Sequence, residues 1–561
     1  MKVNPYHDIK IIPFFLLFLL PSSLAAQAVI SLYDELAPLY PDSRIDKPVK
    51  QYSVHVARGT VAAVHLLITD IDPGNTLSFT VTGGDKTLMS TDHWYRMIDV
   101  EVTENTGLDS RTEKFSGQKN LYVIRRAPFR IYEAFEPVTS PMILQSSAVA
   151  LRLEIPMDSS VTPGKKDFAL TVSLGKRTER LMFSIAVHNA IVPPTSHATI
   201  GYVNWHTLDN ICRDYGVEKW SESFWDILRR FAQLMARGRQ NTFRFLWYDF
   251  FSFDDEGNVT EFSRDHLERY IETFLNEGLQ TIQGAPFTRR RDWSSNAMLV
   301  CGDLPYEIAA VSDKGKKIIA QMFRSIIEMM QEHRWEDRWL QGVFDEPTDE
   351  YVDRYKELIT LLREWKPDVK IMEATMTQQL VGVVDHWCPQ VQEYQAHQEF
   401  FDARKQAGDN VWVYTCLVPG GPWINRLVDQ ERLRQVYVGW ACAKYDLYGF
   451  LHWGLNFNTT KPFDELVREH GGPTNFLPAG DSHIIYPGKD GPLSSQRFEA
   501  HRIGMEDYEL LRQLKRNDLT KMQTIIAKLF QAFDEYSKDI MFYRKVKQEL
   551  LEKLDTILTD L

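Results

Sequence analysis

The sequence predicts a multidomain chain: an N-terminal antiparallel β-sandwich, then a (β/α)8 TIM-type barrel, then a short C-terminal helical segment. Three observations predict it. The chain has 561 residues, room for two to four domains at about 150 residues each. Short alternating apolar runs separated by Gly and Pro turns fill its first third, the pattern of a sandwich. Beyond residue 195 strand-like and helix-like runs take turns, the pattern of parallel βα units.

Residues 1–26 read as a secretory signal: Lys2 and Lys10, an apolar run over 11–20, then small residues ending in Ala25-Ala26. The apolar run is too short to span a bilayer comfortably. No Cys stands at the cut, so a secreted or periplasmic protein is expected, without a lipid anchor and without a membrane span after cleavage. The sandwich is expected over 28–195, with strands over 51–57, 61–69, 77–81, 95–103, 148–155, 167–172 and 180–187. Asp72-Pro73-Gly74 and Gly83-Gly84 mark turns between them, and Pro193-Pro194-Thr195-Ser196 reads as a linker. The barrel is expected over 196–516. Its strands fall at 200–205, 242–247, 279–284, 340–344, 369–373, 386–388, 411–416 and 449–453. Amphipathic stretches lie at 221–236, 264–276, 316–333, 349–365, 398–406 and 430–445, and 495–514 supplies an eighth helix. A doubly wound sheet is the competing fold, but its Gly-x-Gly-x-x-Gly turn is absent. Residues 517–561 are helical in pattern, with Ile525, Leu529 and Phe533 at spacing four, and read as a closing helical hairpin.

Composition narrows the function. A formal net charge of −12 argues against a binder of nucleic-acid backbones. Five widely spaced cysteines suggest neither a disulfide framework nor a zinc cage. His-Glu-x-x-His, a P-loop and Gly-x-Ser-x-Gly are absent, so zinc proteolysis, nucleotide hydrolysis and serine-esterase chemistry lack their usual marks. The sequence calls for no cofactor and no metal; the acidic stretch 252–258 reads as a surface turn. Aromatic residues at 12%, with 14 Trp, suit stacking on sugar rings as well as core packing.

In such a barrel, reactive side chains stand at the C-terminal ends of the strands. The fourth strand ends in Gly342-Val343-Phe344-Asp345-Glu346-Pro347. Neighbours on a regular strand face opposite ways, but a bend at the strand end, favoured by Pro347, can bring Asp345 and Glu346 into one mouth. Two carboxylates in a partly dry cleft have their pKa values driven apart, leaving one acid and one base. Glycoside hydrolysis needs that division of labour. The alternative use of Asp345 is as the N-cap of a helix near Asp349, with Glu346 solvated. Other strand ends offer Trp205, Trp247, Glu373, Trp387, Tyr394, Tyr414, Trp453 and Asn456 as candidate substrate contacts, rings with one apolar face and one polar handle prominent among them. The seventh strand, Val411 to Leu417, holds no carboxylate where many retaining barrels place a nucleophile. That disfavours double displacement by two enzyme carboxylates and leaves open attack by the substrate's own 2-acetamido oxygen. The long segment 456–494 is expected to shape the leaving-group side. Arg497, Glu499, Arg502 and Glu506 read as ion pairs on a helix surface.

These residues resemble glycoside hydrolase family 123 and the wider group of barrel proteins with the DUF4091 domain. The resemblance is carried by the Gly342–Pro347 motif, Val411-Trp412-Val413-Tyr414-Thr415-Cys416 with Pro419-Gly420-Gly421-Pro422, Gly449-Phe450-Leu451-His452-Trp453-Gly454, and Ser494-Ser495-Gln496-Arg497-Phe498-Glu499-Ala500 running into Arg502-Ile503-Gly504-Met505-Glu506-Asp507-Tyr508. It implies a retaining β-N-acetylgalactosaminidase working through the substrate's acetamido group. Asp345 would stabilise that group and Glu346 would be the general acid/base, while Tyr414 or Tyr394 would hold the acetamido oxygen. Two rivals stand beside this reading: a glycosidase of the same fold on a sugar lacking the acetamido group, and a catalytically inactive glycan-binding protein. All three have a glycan as partner.

Overall fold

The computed structural model describes residues 28–559 apart from 85–87, 89–92, 110, 293 and 470–475. The expected signal, 1–26, lies outside the described residues. Among the described residues no helix is long and apolar enough to cross a membrane.

Two five-stranded sheets form the sandwich. One runs in the order Val29–Tyr33, Thr60–Thr69, Val149–Met157, His93–Val102, Phe129–Pro137; the other Gln51–Arg58, Arg177–Ile191, Gly164–Leu174, Thr76–Gly83, Met142–Ile143. Pairing is antiparallel except between Arg177–Ile191 and Gln51–Arg58, which run parallel. The exception follows from the corner at Gly59, where the chain passes from one sheet to the other with φ of 77°. A Cβ there would lie 2.2 Å from the Val192 carbonyl oxygen. Alternation sorts the two faces. Leu151, Leu153 and Ile155 enter the sandwich core, so Arg152 and Glu154 face the other way, toward the barrel. Phe129–Pro137 has no counterpart among the expected strands, because Arg130, Glu133 and Glu136 interrupt its apolar pattern.

The barrel strands are Gly201–Asn204, Thr242–Phe245, Thr281–Gly284, Trp339–Gln341, Lys370–Ala374, His386–Cys388, Asn410–Tyr414 and Gly449–His452, all in one eight-stranded sheet. The parallel ladder runs from the second strand round to the eighth and on to the first. Side chains close the remaining seam. Asn241 accepts from the Tyr202 amide at 2.9 Å and donates to the Ile200 carbonyl at 2.9 Å. Asn204 donates to the Gln240 side chain at 3.0 Å, and Gln240 donates back to the Asn204 carbonyl at 3.1 Å. A side-chain amide carries the same donor and acceptor as a peptide, so it stands in for the missing ladder. Inside, Trp412 fills the barrel where Gly201 leaves room; a Cβ on Gly201 would lie 2.2 Å from that ring. Ser221, Ser312 and Ser495 cap three of the outer helices, Glu222–Arg237, Asp313–Glu332 and Gln496–Asn517. The expected eight alternations need one correction. Between the fifth and sixth strands only a 3-10 turn, Gln378–Leu380, stands in for the helix, since residues 375–385 are too few for a full crossover helix. At the C-terminus, helices Leu519–Leu529 and Ile540–Thr559 pack on Gln496–Asn517 and are joined through a small hairpin, Phe530–Ala532 with Glu535–Tyr536.

Sandwich and barrel meet through buried charge, which corrects the expectation of surface pairs on the last barrel helix. That helix is covered by the sandwich, so its Arg497, Glu499, Arg502 and Glu506 are all buried. Arg497 donates to Glu133 at 2.6 Å and Arg432 to the same carboxylate at 3.3 Å. Arg152 binds Glu154 at 2.6 Å and Glu35 at 3.0 Å. Arg237 reaches Glu154 at 2.8 Å and Glu499 at 3.2 Å, and Arg502 holds Glu499 and Glu506 at 2.6 Å each. The segment 456–494 also turns toward the sandwich: Leu466, Ala479, Tyr486 and Leu493 share a core with Val100, Val102, Phe129 and Ile131. Removing one partner of a buried pair strands the other charge. Glu133→Ala, which leaves Arg497 and Arg432 facing each other, is therefore expected to cost about 3–5 kcal/mol in urea unfolding. A loss below about 1 kcal/mol, the worth of an exposed pair, would contradict this account.

Candidate active site

The fourth barrel strand stops at Gln341, and the next six residues form a turn pinned at nearly every peptide. Gly342 donates to the Gly284 carbonyl at 3.0 Å. The amides of Val343 and Phe344 donate to one Glu373 oxygen at 3.1 and 3.0 Å, and the Tyr355 hydroxyl donates to the same atom at 2.9 Å. Thr288 donates its hydroxyl to the Val343 carbonyl at 2.6 Å. Arg290 donates to the carbonyls of Asp345 at 2.8 Å and Glu346 at 2.6 Å. Thr375 donates to the Pro347 carbonyl at 3.2 Å. Phe344 is buried against Tyr351 with ring centroids 4.5 Å apart. Glu346 takes a φ of 52°, the left-handed region. That conformation breaks the alternation of an extended chain. The following short helix starts after Thr348, so Asp345 is not its N-cap.

Both carboxyl groups are half-buried at the C-terminal end of the barrel. The Tyr414 hydroxyl, at the end of the seventh strand, donates to Glu346. Phe243 and Phe245 face the helices, so Arg244 between them points to the barrel axis, its guanidinium 3.9 Å from the centre of the Trp205 ring. Burial raises the pKa of Asp345, and the charges of Arg244 and Arg290 pull it back down. Burial and the neighbouring Asp345 push Glu346 up to about 7, against the Tyr414 hydrogen bond and Arg290. One turn thus holds two carboxyls raised by burial: Glu346 to about 7, a value that suits a proton donor near neutrality, and Asp345 against the pull of two cations.

A family model described as the glycoside hydrolase 123 catalytic domain matches residues 205–514, more than half of the chain. The chain belongs to glycoside hydrolase family 123. It is a glycoside hydrolase, and glycans are its substrates. The solved structure of a family 123 enzyme from Clostridium perfringens matches with a TM-score of 0.73 at 12% identity, covering 95% of this chain and 97% of that one; the likeness extends the shared fold to the sandwich. A β-glucuronidase from Parabacteroides merdae matches with a TM-score of 0.32 at 12% identity, over 79% of this chain and 50% of that one. An endo-β-1,4-mannanase from Thermotoga petrophila gives 0.35 at 9% identity, over 56% and 78%. Comparison with curated proteins finds no match.

Within this family 123 chain the expected site residues separate into groups. Asp345, Glu346, Tyr414 and Trp205 come together at the mouth. Trp453 is half-buried at its rim and donates to Asp481 at 3.2 Å. Glu373 is close by but lies beneath the turn, its carboxyl engaged with backbone amides. Trp247, Trp387 and Tyr394 belong to the layer between barrel and helices: Trp247 stacks on Phe287 at 3.9 Å, Trp387 packs on Phe400 and Phe401, and Tyr394 on Phe401, Tyr445 and Phe533. A strand position turns Trp387 outward, and positions in a 3-10 turn and a helix do the same for Trp247 and Tyr394. Asn456 is buried, binding the Thr207 amide and carbonyl at 2.9 and 3.0 Å. Arg244, Arg290 and Tyr355 were not among the expected site residues. A lone arginine between two phenylalanines near a strand end was the available signal for Arg244; Arg290 and Tyr355 carry none.

Burial raises Glu373 to about 8, opposed by the two amides and the Tyr355 hydroxyl. In an unfolded chain a Glu titrates near about 4.3. The raised folded value means that its stabilising contribution is complete below the unfolded pKa and is lost as pH rises through the folded one. Thermal unfolding midpoints of wild type and Glu373→Gln, taken from about pH 5 to about pH 9, should converge or cross as wild type loses stability. Parallel curves would show that Glu373 does not titrate in this range.

Proposed function

We propose that this family 123 enzyme is exported and releases β-linked N-acetylgalactosamine from glycans by a retaining, substrate-assisted reaction. The observation that carries the proposal is the single turn that presents Asp345 and Glu346 to one mouth, with Tyr414 donating to Glu346 and the charges of Arg244 and Arg290 bearing on Asp345. The seventh strand, which ends in Tyr414 rather than a carboxylate, supports the substrate as its own nucleophile. The Clostridium perfringens enzyme, described for hydrolysis of glycolipid glycans, supports a glycoconjugate substrate.

In the first step the acetamido oxygen attacks the anomeric carbon as the glycosidic bond breaks, and Glu346 gives its proton to the departing oxygen. Asp345 accepts the acetamido N–H and balances the positive charge of the oxazolinium intermediate. Tyr414, whose hydroxyl donates to Glu346, is assigned to the acetamido oxygen. Water then attacks the anomeric carbon from the face the aglycone left, losing its proton to Glu346 and restoring the starting states. Two inversions give net retention.

Glu346→Gln is expected to lower kcat by about 10²–10⁴ on glycosides with poor leaving groups and far less on activated aryl glycosides. Equal losses on both would remove Glu346 from the acid role. With Glu346 near 7, wild-type kcat/KM should fall as pH rises through that value, because the acid form is lost; the limb should vanish in Glu346→Gln assayed on an aryl glycoside. Asp345→Asn is expected to abolish most turnover with little change in circular dichroism, and a thiazoline analogue of N-acetylgalactosamine should inhibit wild type tightly. Hydrolysis of aryl β-glycosides that lack the acetamido group, with no thiazoline inhibition, would favour a different sugar.

A further inference from the structure

We infer that Arg244 and Arg289 form a subsite for an anionic substituent of the glycan, a sulfate ester or a carboxylate, on the Asp345 side of the mouth. The inference rests on the placing of the reacting ring at Asp345 and Glu346. Three consecutive arginines, 289–291, follow the third barrel strand in a chain of formal net charge −12. Two of them are occupied. Arg290 spends its guanidinium on the Asp345 and Glu346 carbonyls, and Arg291 pairs with Glu307 at 2.6 Å. Arg289 is exposed on the hairpin strand Thr288–Arg290, and its guanidinium makes a long bond, 3.4 Å, to the Arg290 carbonyl.

Arg244 stands on the neighbouring second strand, which pairs in parallel with the third. Its guanidinium carbon lies over the Trp205 ring, and its buried Nε has no hydrogen-bond partner among the described residues. Burial pulls its pKa down, while the nearby Asp345 and Tyr248 oppose the shift. Arg289 and Cys301 share one face of the hairpin formed with Met298–Val300, and the strand that carries Arg244 is the neighbour of the strand that leads into this hairpin; the charges of both arginines and of Asp345 also bear on the Cys301 thiol. Tyr248, at 45% exposure, adds a ring at that rim. A mouth lined by carboxylates alone repels an anionic sugar. Two guanidinium groups, one of them short of hydrogen-bond acceptors, reverse the local sign and offer the forked donors that sulfate and carboxylate accept bidentately. Glu307, whose charge also reaches Arg289, is itself neutralised by Arg291.

The test is calorimetric binding of N-acetylgalactosamine, its 4- and 6-sulfates, and a sialylated N-acetylgalactosamine disaccharide to the full chain at low salt. At least one anionic ligand should bind about tenfold more tightly than the neutral sugar, with the advantage shrinking as salt is added. A sulfate preference and a sialyl preference identify the two sources separately. Arg289→Gln should erase about fivefold of the advantage while leaving turnover of a neutral aryl β-N-acetylgalactosaminide unchanged, and adding Arg244→Gln should erase the rest. Equal affinity for neutral and anionic sugars, or a preference that survives the double substitution, overturns the inference. Hydrolysis of the neutral glycoside without anion preference leaves the proposed reaction standing and defeats the subsite. Anion preference without hydrolysis of any hexosaminide does the opposite.

Discussion

The site depends on a short stretch of main chain held from both sides. Glu373 takes the amides of Val343 and Phe344, Thr288 the Val343 carbonyl, and Arg290 the carbonyls of Asp345 and Glu346. A left-handed non-glycine residue costs on the order of 1–3 kcal/mol, so Glu346 keeps its φ of 52° because these bonds leave the turn no other course. The strain has a use. It sets adjacent side chains against the same cavity, which a regular strand cannot do, and it fixes both carboxyl groups before any sugar arrives.

Holding acids this close has electrostatic consequences. Glu346 and Glu373 are both driven upward by burial, to about 7 and about 8, while Arg244 and Arg290 oppose the rise at Asp345. The mouth thereby avoids stacking three negative charges. Arg290 contributes twice, as a clamp on the backbone and as a charge, so one residue couples the shape of the turn to its protonation.

Much of this was legible in the sequence because it follows from short-range rules. Alternating strand and helix patterns locate the eight barrel strands, and an acidic pair closing the apolar run Gly342-Val343-Phe344 marks the strand end. What was not legible depends on partners far along the chain. Trp247 and Trp387 share the composition of rim aromatics, yet the 3-10 turn after the second strand and one step of alternation on the sixth turn them toward the helices. Glu373 reads as a ligand for substrate until its neighbour is seen to be the turn itself. The strand Phe129–Pro137 hides because its buried Glu133 is matched by Arg497 and Arg432, each about three hundred residues or more away. The last barrel helix looks amphipathic to solvent only while the sandwich covering it is out of view.

The barrel's seam has a bearing on how the enzyme breathes. Everywhere else the staves are joined by peptide hydrogen bonds, but the first and second are stitched by Asn241, Gln240 and Asn204. Side chains turn about single bonds, a freedom that a peptide ladder lacks. Trp205 follows one of those staves and Arg244 sits on the other, its guanidinium over the indole across the gap. Any movement between those two staves is felt first by that pair, on the side of the mouth where the charge of Arg244 bears on Asp345.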